Sequence, residues 1–323
     1  MIIIPYKRFV ELNDPLNSAG EVQGWFKIEA LKVDAHGRPI EQSRRVLADW
    51  FPNLITNFGI NGIGTLINLV SFCRVGSGNA TPQFTDSQLQ SQIASTNTLQ
   101  ASAEINGGTP PNYFHGRNTT FRFPTGAAAG NISEVGVGQT ETGATLFSRA
   151  LILDAGLNPA TITVLSDEVL DVTYQSRWYP PNADQMYNIT IVGVGSIAVT
   201  ARASRVTSAT NYFIGRGGIW PVPSAAIAQN GTIGPVTGSP SGAGAAASAV
   251  ANLAYSNNSL QVSFSMTFGL NNGNLSGGIS ALSVALGDHS GCYGYMQYGL
   301  SPAIPKLNTQ ILTINGVHSW ARR

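Results

Sequence analysis

Apolar and polar residues alternate along many short stretches of the chain, and Gly, Pro, Asn or Asp separate most of these stretches. Residues 25–33 alternate in this way, residues 34–37 read Asp-Ala-His-Gly, and residues 44–50 return with a second apolar pattern. Successive side chains of a strand point to opposite faces, so this arrangement predicts a β-hairpin. Further predicted strands cover residues 99–105, 118–123, 132–137, 145–153, 161–165, 169–178, 188–200, 260–268, 279–286, 292–298 and 310–317.

The pattern leaves room for one or two short helices. Residues 53–67 carry apolar side chains at mixed spacing with interspersed glycines, which predicts a short buried helix. A second helix is predicted to begin at Thr85, because Thr85-Asp-Ser-Gln88 has the form of a capping box and Leu89 and Ile93 follow one turn apart. The predicted fold class is therefore all-β (mainly β), as tandem β-sandwich-like domains with few helical residues.

Two blocks of sequence recur at nearly the same spacing. Residues 120–133 resemble residues 263–276, since both place an aromatic strand before Gly-Asn-aliphatic-Ser, and residues 169–178 resemble residues 311–320. Matched spacing of separate blocks favours a duplicated unit. The predicted organisation is an N-terminal β-hairpin segment at 1–52, a first domain at 53–180 and a second at 181–323, and the second domain resembles a diverged repeat of the first.

Composition narrows the classes of partner. Charged residues make up only 11% of the 323 residues, against roughly 25% in ordinary domains, and the formal net charge is +1. A neutral chain without a basic tract is not expected to bind nucleic acid. Low charge and an excess of Arg over Lys instead fit surfaces that are covered by other proteins. A low-complexity stretch at residues 231–251 is predicted to be a mobile or partner-supported loop.

Targeting and redox features are few. The apolar start at residues 1–5 is too short for a signal peptide, and no stretch is long and apolar enough to span a membrane. We therefore expect synthesis in the cytoplasm and no membrane span. Cys73 and Cys292 lie far apart and have no metal-binding spacing, so both are expected to be buried thiols, although a disulfide between them stays open.

The glycine pair in Arg74-Val-Gly-Ser-Gly78 raises the question of a phosphate-binding loop. A P-loop needs a Lys after its second glycine, and this stretch has none. Pro82 also separates the glycines from the predicted helix at Thr85, so helix amides would not reach a phosphate in the loop. We interpret Gly76-Ser-Gly78 as a turn that ends a strand.

Catalytic and metal-binding patterns are also weak. Asp288-His-Ser-Gly-Cys292 contains residue types found in catalytic triads, but neighbours in one loop do not converge on one reacting atom, and no nucleophile elbow is present. The acidic residues of Ser166–Asp171 are expected to form a solvated turn. No cofactor, metal or catalytic residue is predicted, and the chain is expected not to be an enzyme.

Aromatic residues suggest one candidate ligand surface. Tyr293, Tyr295 and Tyr298 cluster near the end of the chain, and together with Trp220 they would make a receptor or carbohydrate patch if exposed. The alternative interpretation is an interface or core cluster.

Several motifs resemble a recurring pattern in structural proteins of tailed bacteriophages. They are Asn53-Leu-Ile-Thr-Asn57 with its Gly-rich continuation, Val75-Gly-Ser-Gly78 with Pro82, Asp86 and Leu89, Ile132-Ser-Glu-Val-Gly-Val-Gly138 with Thr145–Ala150, Ile162–Glu168, and the terminal residues 302–323. The resemblance implies a non-enzymatic virion protein, in the tail tip, fibre or baseplate. It also implies assembly with copies of itself, as a trimer or ring, and with other tail proteins.

The resemblance leaves alternatives open. The chain could be a receptor or carbohydrate binder at the fibre end that contacts a host glycan or protein, a capsid-decoration or neck protein, or a depolymerase, which is disfavoured because no carboxylate pair stands out. Within the tail interpretation, the N-terminal segment is the candidate docking element, with Trp25, Arg44, Arg45 and Trp50 as its contact residues.

Overall fold

The computed structural model describes residues 8–11, 14–65, 68–207, 214–215, 218–219, 223–286 and 296–323. The regular secondary structure of the described residues is almost entirely β-strand, with one α-helix, α1 (Asn57–Gly62), and one 3₁₀ turn at Glu41–Ser43. The prediction of an all-β, sandwich-like fold with one or two short helices is confirmed.

The strands of the first half are β1 (Arg8–Glu11), β2 (Leu16–Lys32), β3 (Arg45–Pro52), β4 (Leu54–Ile55), β5 (Phe72–Gly76), β6 (Gln92–Thr96), β7 (Leu99–Gly107), β8 (Phe114–Phe123), β9 (Gly130–Ile132), β10 (Glu134–Gly138), β11 (Leu146–Leu151), β12 (Ile162–Val164) and β13 (Glu168–Tyr179). Those of the second half are β14 (Gln185–Ile191), β15 (Gly195–Ala203), β16 (Ile214–Gly215), β17 (Gly218–Ile219), β18 (Pro223–Gln229), β19 (Gly244–Ala246), β20 (Ala249–Asn252), β21 (Gln261–Phe268), β22 (Ile279–Leu286), β23 (Met296–Ile304) and β24 (Gln310–Arg322).

A nine-stranded sheet runs through both halves in the order β20-β21-β24-β2-β13-β8-β7, with β1 beside β24 and β3 beside β2. Each half adds a smaller sheet. In the first half it has the order β4-β11-β10-β5-β6, and in the second β14-β15-β23-β22-β18-β19. The short pairs β9–β12 and β16–β17 complete the described strands.

The two halves have the same strand order. The run β4-β11-β10-β5-β6 corresponds to β15-β23-β22-β18-β19, and β7-β8-β13 corresponds to β20-β21-β24, each in the same sequence along the chain. The segments that resemble each other in sequence thus begin on or lie within equivalent strands, β8 with β21 and β13 with β24. A duplicated sandwich would leave this arrangement, although common ancestry of the halves stays a prediction.

Strand β2 joins the halves. It pairs antiparallel with β13 over Glu21–Lys32, and on its other side it pairs parallel with β24 over Leu16–Val22 and antiparallel with β3. Residues 16–52 are thus integral to the large sheet, and the predicted N-terminal segment is not a structurally separate unit. The predicted boundary near residue 180 falls on the Pro180-Pro181 link between β13 and β14.

Each sandwich buries an apolar core between its two sheets. In the first, the rings of Phe26 and Tyr174 lie 5.0 Å apart in the large sheet, and the Tyr174 ring meets that of Phe147 on β11 edge to face at 6.3 Å. In the second, Phe264 and Ile314 of the large sheet are buried. Alternation along the strands places such side chains on one face, which is why the sequence pattern predicts them.

The low-complexity stretch is more ordered than predicted. Its second part supplies β19 and β20, and its first part is held against the six-stranded sheet, where Gln297 Oε1 accepts a hydrogen bond from the Gly234 amide at 2.8 Å. The Gln297 Nε2 amide group donates to the carbonyl oxygens of Gly234 and Pro235, both at 3.1 Å. The sequence predicts a mobile or partner-supported loop here, whereas backbone pairing and the buried Gln297 hold the stretch against the rest of the same chain.

The second half also contacts helix α1 of the first half. Trp320 Nε1 donates to the Ile60 carbonyl at 2.9 Å, and the Trp320 ring stacks on Tyr255 with centroids 5.7 Å apart. Arg322 Nε donates to the Ile55 carbonyl at 2.7 Å. Asn61 of α1 accepts from the Tyr255 hydroxyl at 2.8 Å. We call these contacts of β24 and the Tyr255 loop with β4 and α1 the helix clamp.

Candidate functional site

The glycine loop after β5 binds an anion, and that anion is the protein's own Glu134. The amides of Gly78 and Ser91 donate to Glu134 Oε1 at 3.1 and 2.7 Å, and the amide of Gln90 donates to Oε2 at 3.0 Å. The Glu134 side chain has no solvent exposure. Backbone amides that converge on a carboxylate in this way form the kind of nest that elsewhere holds a phosphate.

Gly76 and Gly78 lie so close to neighbouring atoms that neither position has room for a side chain. A Cβ atom at Gly76 would lie 2.4 Å from the Ser91 carbonyl oxygen, and a Cβ at Gly78 would lie 2.4 Å from Glu134 Oε1. The loop therefore closes on the carboxylate only without side chains at these positions. The carboxylate occupies the centre of the nest, so the described geometry leaves no place for a phosphate there.

Arg149 completes the site. Its Nη2 lies 2.8 Å from Glu134 Oε2, and its Nη1 lies 2.6 Å from Asp86 Oδ2. The Asp86 carboxylate also accepts from the Gln83 amide at 2.9 Å, and Arg149 Nη2 donates to the Ala80 carbonyl at 3.0 Å. We call Glu134, Arg149, Asp86 and the loop 76–91 the Glu134 cluster.

The helix predicted at Thr85 does not form. Residues 84–85 lie in a turn, and residues 86–91 form no helix before β6 begins. Asp86 binds the Gln83 amide and Arg149 instead of continuing a capping box. The tertiary ion pair thus overrides the local helix pattern. The interpretation of Gly76 as the end of a strand is confirmed, since β5 ends there.

Sequence reasoning missed Glu134. The sequence does contain a signal for it, because an acidic residue begins the otherwise apolar strand Glu134-Val-Gly-Val-Gly138. A carboxylate on a wholly buried strand needs a partner, and Arg149 lies opposite Gly136 on the neighbouring strand β11. The cluster fixes a loop and offers no open position to a substrate.

The four predicted docking residues lie on or beside β2 and β3. Arg44 forms ion pairs with Glu41 at 2.8 Å and with the buried Asp171 at 3.3 Å. Arg45 pairs with Glu168 at 2.7 Å, and this guanidinium holds the pKa of the Glu168 carboxyl below its usual value.

The two docking tryptophans, Trp25 and Trp50, are half-buried, and the Arg177 guanidinium lies 4.8 Å from the Trp25 ring centroid. The two arginines already neutralise carboxylates of the same chain, so docking through these residues stays a prediction.

The predicted aromatic patch is only partly described. Trp220, Tyr293 and Tyr295 lie outside the described residues. Tyr298 is fully buried on β23, between β15 and β22, and burial raises the pKa of its hydroxyl. Tyr298 therefore does not contact an external ligand, because the second sandwich's core covers its ring, and its inclusion in an exposed patch is wrong.

A cleft of about 370 Å³ lies where the two halves meet. Its lining includes Tyr113, Tyr179 and Arg323. The Arg323 guanidinium lies 3.9 Å from the Tyr179 ring centroid, donates to Asn112 Oδ1 at 2.9 Å and lies 3.4 Å from Glu21. Arg323 is the one cationic residue in the lining, and these contacts pair its guanidinium with residues of the first half.

Other candidate chemistry is limited in the part of the chain that the structure describes. No three His, Cys, Asp or Glu side chains gather there as a metal site, and no helix there could cross a membrane. Cys73 is buried as a free thiol, and burial raises its pKa, whereas Cys292 lies outside the described residues.

The remaining candidate is a buried Ser–His contact. Ser18 Oγ lies 2.7 Å from His318 Nδ1, and both residues are buried, His318 completely. Burial lowers the pKa of His318 to about 3. A buried neutral imidazole in a strand pair has no access to substrate, so this contact is part of the core between β2 and β24.

Compared with known protein families, with curated proteins and with solved structures, the chain matches none of them.

Proposed function

We propose that this chain is a non-enzymatic structural subunit of the virion of a tailed bacteriophage, placed in the tail tip, fibre or baseplate. It is made in the host cytoplasm and becomes part of the particle. Its role is to bury low-charge β surfaces against copies of itself and against neighbouring tail proteins.

The observation that carries the proposal is the distribution of the few charged residues. Between Arg216 and Asp288 the chain has no charged residue. Elsewhere, arginines form ion pairs with carboxylates of the same chain, as Arg149 does with Glu134 and Arg202 with Asp184. A surface without charge does not keep molecules apart, and such surfaces suit permanent burial against partners.

The phage-like motifs support the same proposal through their place in the fold. Thr56, from the Asn53–Asn57 motif, caps α1 by accepting from the Gly59 amide at 3.0 Å. Gly78, Asp86 and Glu134, from the other motifs, meet in the Glu134 cluster. These motif residues stabilise loops, which fits a building block better than a catalyst.

The competing class is a receptor or carbohydrate binder at the fibre end. One of its four residues, Tyr298, is buried, and the junction cleft offers Tyr113 and Asn112 instead. No observation among the described residues favours this class over the structural one.

The test is quantitative mass spectrometry of density-purified particles from the host strain that carries the gene. A structural subunit is expected in the particles at several copies, in a fixed ratio to other tail proteins, and deletion of the gene is expected to give tailless or defective particles. A chain that stays in the lysate supernatant while intact infectious particles form without it would overturn the proposal.

A further inference from the structure

A ribbon of small residues forms one corner of the second sandwich. Residues 244–252, which we call the alanine ribbon, supply β19 at the edge of the six-stranded sheet and then β20 at the edge of the nine-stranded sheet. Ala247 and Ser248 make the corner, where their amides donate to the carbonyls of Ala226 and Thr267 at 2.8 and 2.7 Å. Among the described residues, no strand pairs with the outer edge of either piece.

The ribbon carries nothing that would block another strand. Ala246, Ala249 and Ala251 are exposed, and the neighbouring Leu253 is 64% exposed. The ribbon has no Lys, Glu, Asp, Arg or Pro. Natural proteins protect edge strands with charges, prolines or covering segments, because an open edge pairs readily with another chain.

Several other sheet edges among the described residues are protected. Edge strand β7 carries Glu104, paired with Arg117 at 2.8 Å. On edge strand β14, the Thr190 amide donates to Asp14 Oδ2 at 3.1 Å. On edge strand β6, Ser95 Oγ donates to the carboxylate of Glu141 at 3.2 Å. Edge strand β4, at the other end of the five-stranded sheet, is only two residues long.

We infer that the alanine ribbon is an interaction surface for the same ribbon of a second copy of this chain. A two-fold axis brings identical strands together antiparallel, so that residue i of one copy faces residue j of the other and j faces i, and residues near the axis lie close to their own counterparts. A charged edge would oppose like charges in that arrangement, whereas this uncharged ribbon does not.

The contact is expected to extend the nine-stranded sheet through β20. One carbonyl on the β19 side, that of Ala246, already accepts from Asn272 Nδ2 at 3.2 Å, so β20 offers the more open edge. A ribbon of nine residues spans roughly 30 Å. A stable interface buries at least about 1,200 Å², and two paired ribbons alone are expected to bury less. Free subunits should therefore associate weakly, and further contacts are expected to form in the particle.

This inference names a partner for the proposed assembly role, and it is tested on the purified full-length chain. Sedimentation velocity over a wide concentration range is expected to show a reversible monomer–dimer equilibrium. Ala251→Lys and Ala251→Asp are each expected to weaken self-association at least tenfold, because a two-fold axis through the short strand β20 places like charges at position 251 close together. An equimolar mixture of the two variants is expected to restore association.

Ala198→Lys is the matched control. Ala198 is an exposed alanine on β15, which lies between β14 and β23 and offers no free edge, so this variant is expected to associate like the unaltered chain. Hydrogen exchange of residues 249–252 should slow as concentration rises. Thermal unfolding of each variant checks that the fold is intact.

A chain that stays monomeric at every concentration, or one that dimerises equally well with Ala251→Lys, overturns the inference. Failure of mixed variants to associate overturns the like-with-like pairing in the same way. These results leave the proposed function standing if particles contain the chain. Dimerisation of a chain that is absent from particles would instead overturn the function and keep the ribbon contact.

Discussion

At the scale of single residues, the most informative group is the Glu134 carboxylate. It is the anion that the glycine loop, Arg149 and three backbone amides all face. A buried ion pair of this kind tolerates the loss of one partner poorly, because the remaining charge is left in a medium of low polarity.

Glu134→Gln is therefore expected to lower the free energy of unfolding by up to about 3–5 kcal/mol, since the buried Arg149 then keeps only Asp86 as a charged partner. Urea denaturation measures this loss. Glu41→Gln is the control, because Glu41 forms an ion pair whose acid side chain is 62% exposed, and its loss should stay below about 1 kcal/mol. Equal effects of the two substitutions would show that the Glu134 cluster does not fix the loop.

His318 makes stability depend on pH. Its pKa is about 3 in the folded chain against 6.5 for an ordinary histidine. In the unfolded chain the imidazole binds a proton below pH 6.5, but in the folded chain it does so only near pH 3. The unfolded state therefore binds more protons between these values, and stability falls as pH is lowered through this window.

We expect His318→Gln to remove a slope of up to about 1.4 kcal/mol per pH unit between about pH 5 and pH 6.5, a range above most carboxylate titrations. Denaturation midpoints at a series of pH values measure the slope. His36→Gln, at an exposed turn position, should leave it unchanged. A His318→Gln variant with the same slope as the unaltered chain would mean that His318 is protonated while folded.

At the scale of elements, two connecting loops have the same design. Asp34 accepts from the amides of His36 and Arg38, and Asp154 accepts from those of Gly156 and Asn158. The fourth position of each loop has a positive φ, 75° at Gly37 and 61° at Leu157. Glycine adopts this conformation freely, whereas Leu does not.

Leu157→Gly is accordingly expected to raise the free energy of unfolding by about 1 kcal/mol, because the exposed Leu157 side chain has little packing to lose. Differential scanning calorimetry would report the higher Tm. Ala155→Gly, in the same loop and equally exposed, lacks a positive φ and should lower stability by about 0.5–1 kcal/mol. A lower Tm for Leu157→Gly would contradict the account of this loop.

The local sequence pattern predicts most of the strands and turns, but it does not predict which distant strands pair. The hairpin of β2 and β3 and most strands follow from alternation and turn residues, because both are properties of neighbouring positions. The helix at Thr85 was mispredicted because Asp86 binds Arg149, a residue far along the chain. The pairing of β2 with β24 is likewise invisible in local sequence, since its partners lie about 300 residues apart.

At the scale of the whole molecule, the two sandwiches are expected to unfold as one unit. They share the nine-stranded sheet through β2, and the helix clamp joins Trp320 to α1 and Arg322 to β4. Breaking either half would expose the other's apolar surface, so separate unfolding is unfavourable.

Calorimetry of the unaltered chain should therefore give a single transition with equal calorimetric and van't Hoff enthalpies. Trp320→Ala removes a buried ring and its bond to Ile60, and it is expected to cost about 3–5 kcal/mol and to broaden or split the transition. Ser319→Ala, at the preceding position, should keep a single sharp transition. Two resolved transitions in the unaltered chain would show that the halves are independent.

At this scale the fold class was predicted correctly, whereas the exposed position of Tyr298 was not. The aromatic patch was inferred from composition alone, and Tyr298 lies in the core because its strand β23 is central in the six-stranded sheet. Composition does give the low charge of the second half directly. It cannot show that the uncharged residues 244–252 form an open edge, which depends on the neighbours that folding supplies.

The most direct test of the central claim is electron cryo-microscopy of the intact particle from the host that carries the gene. The account predicts tail density that fits two sandwiches sharing one nine-stranded sheet, with several copies related by symmetry and low-charge faces buried between subunits. A complete map of head, neck and tail in which every density is assigned to other chains would contradict it.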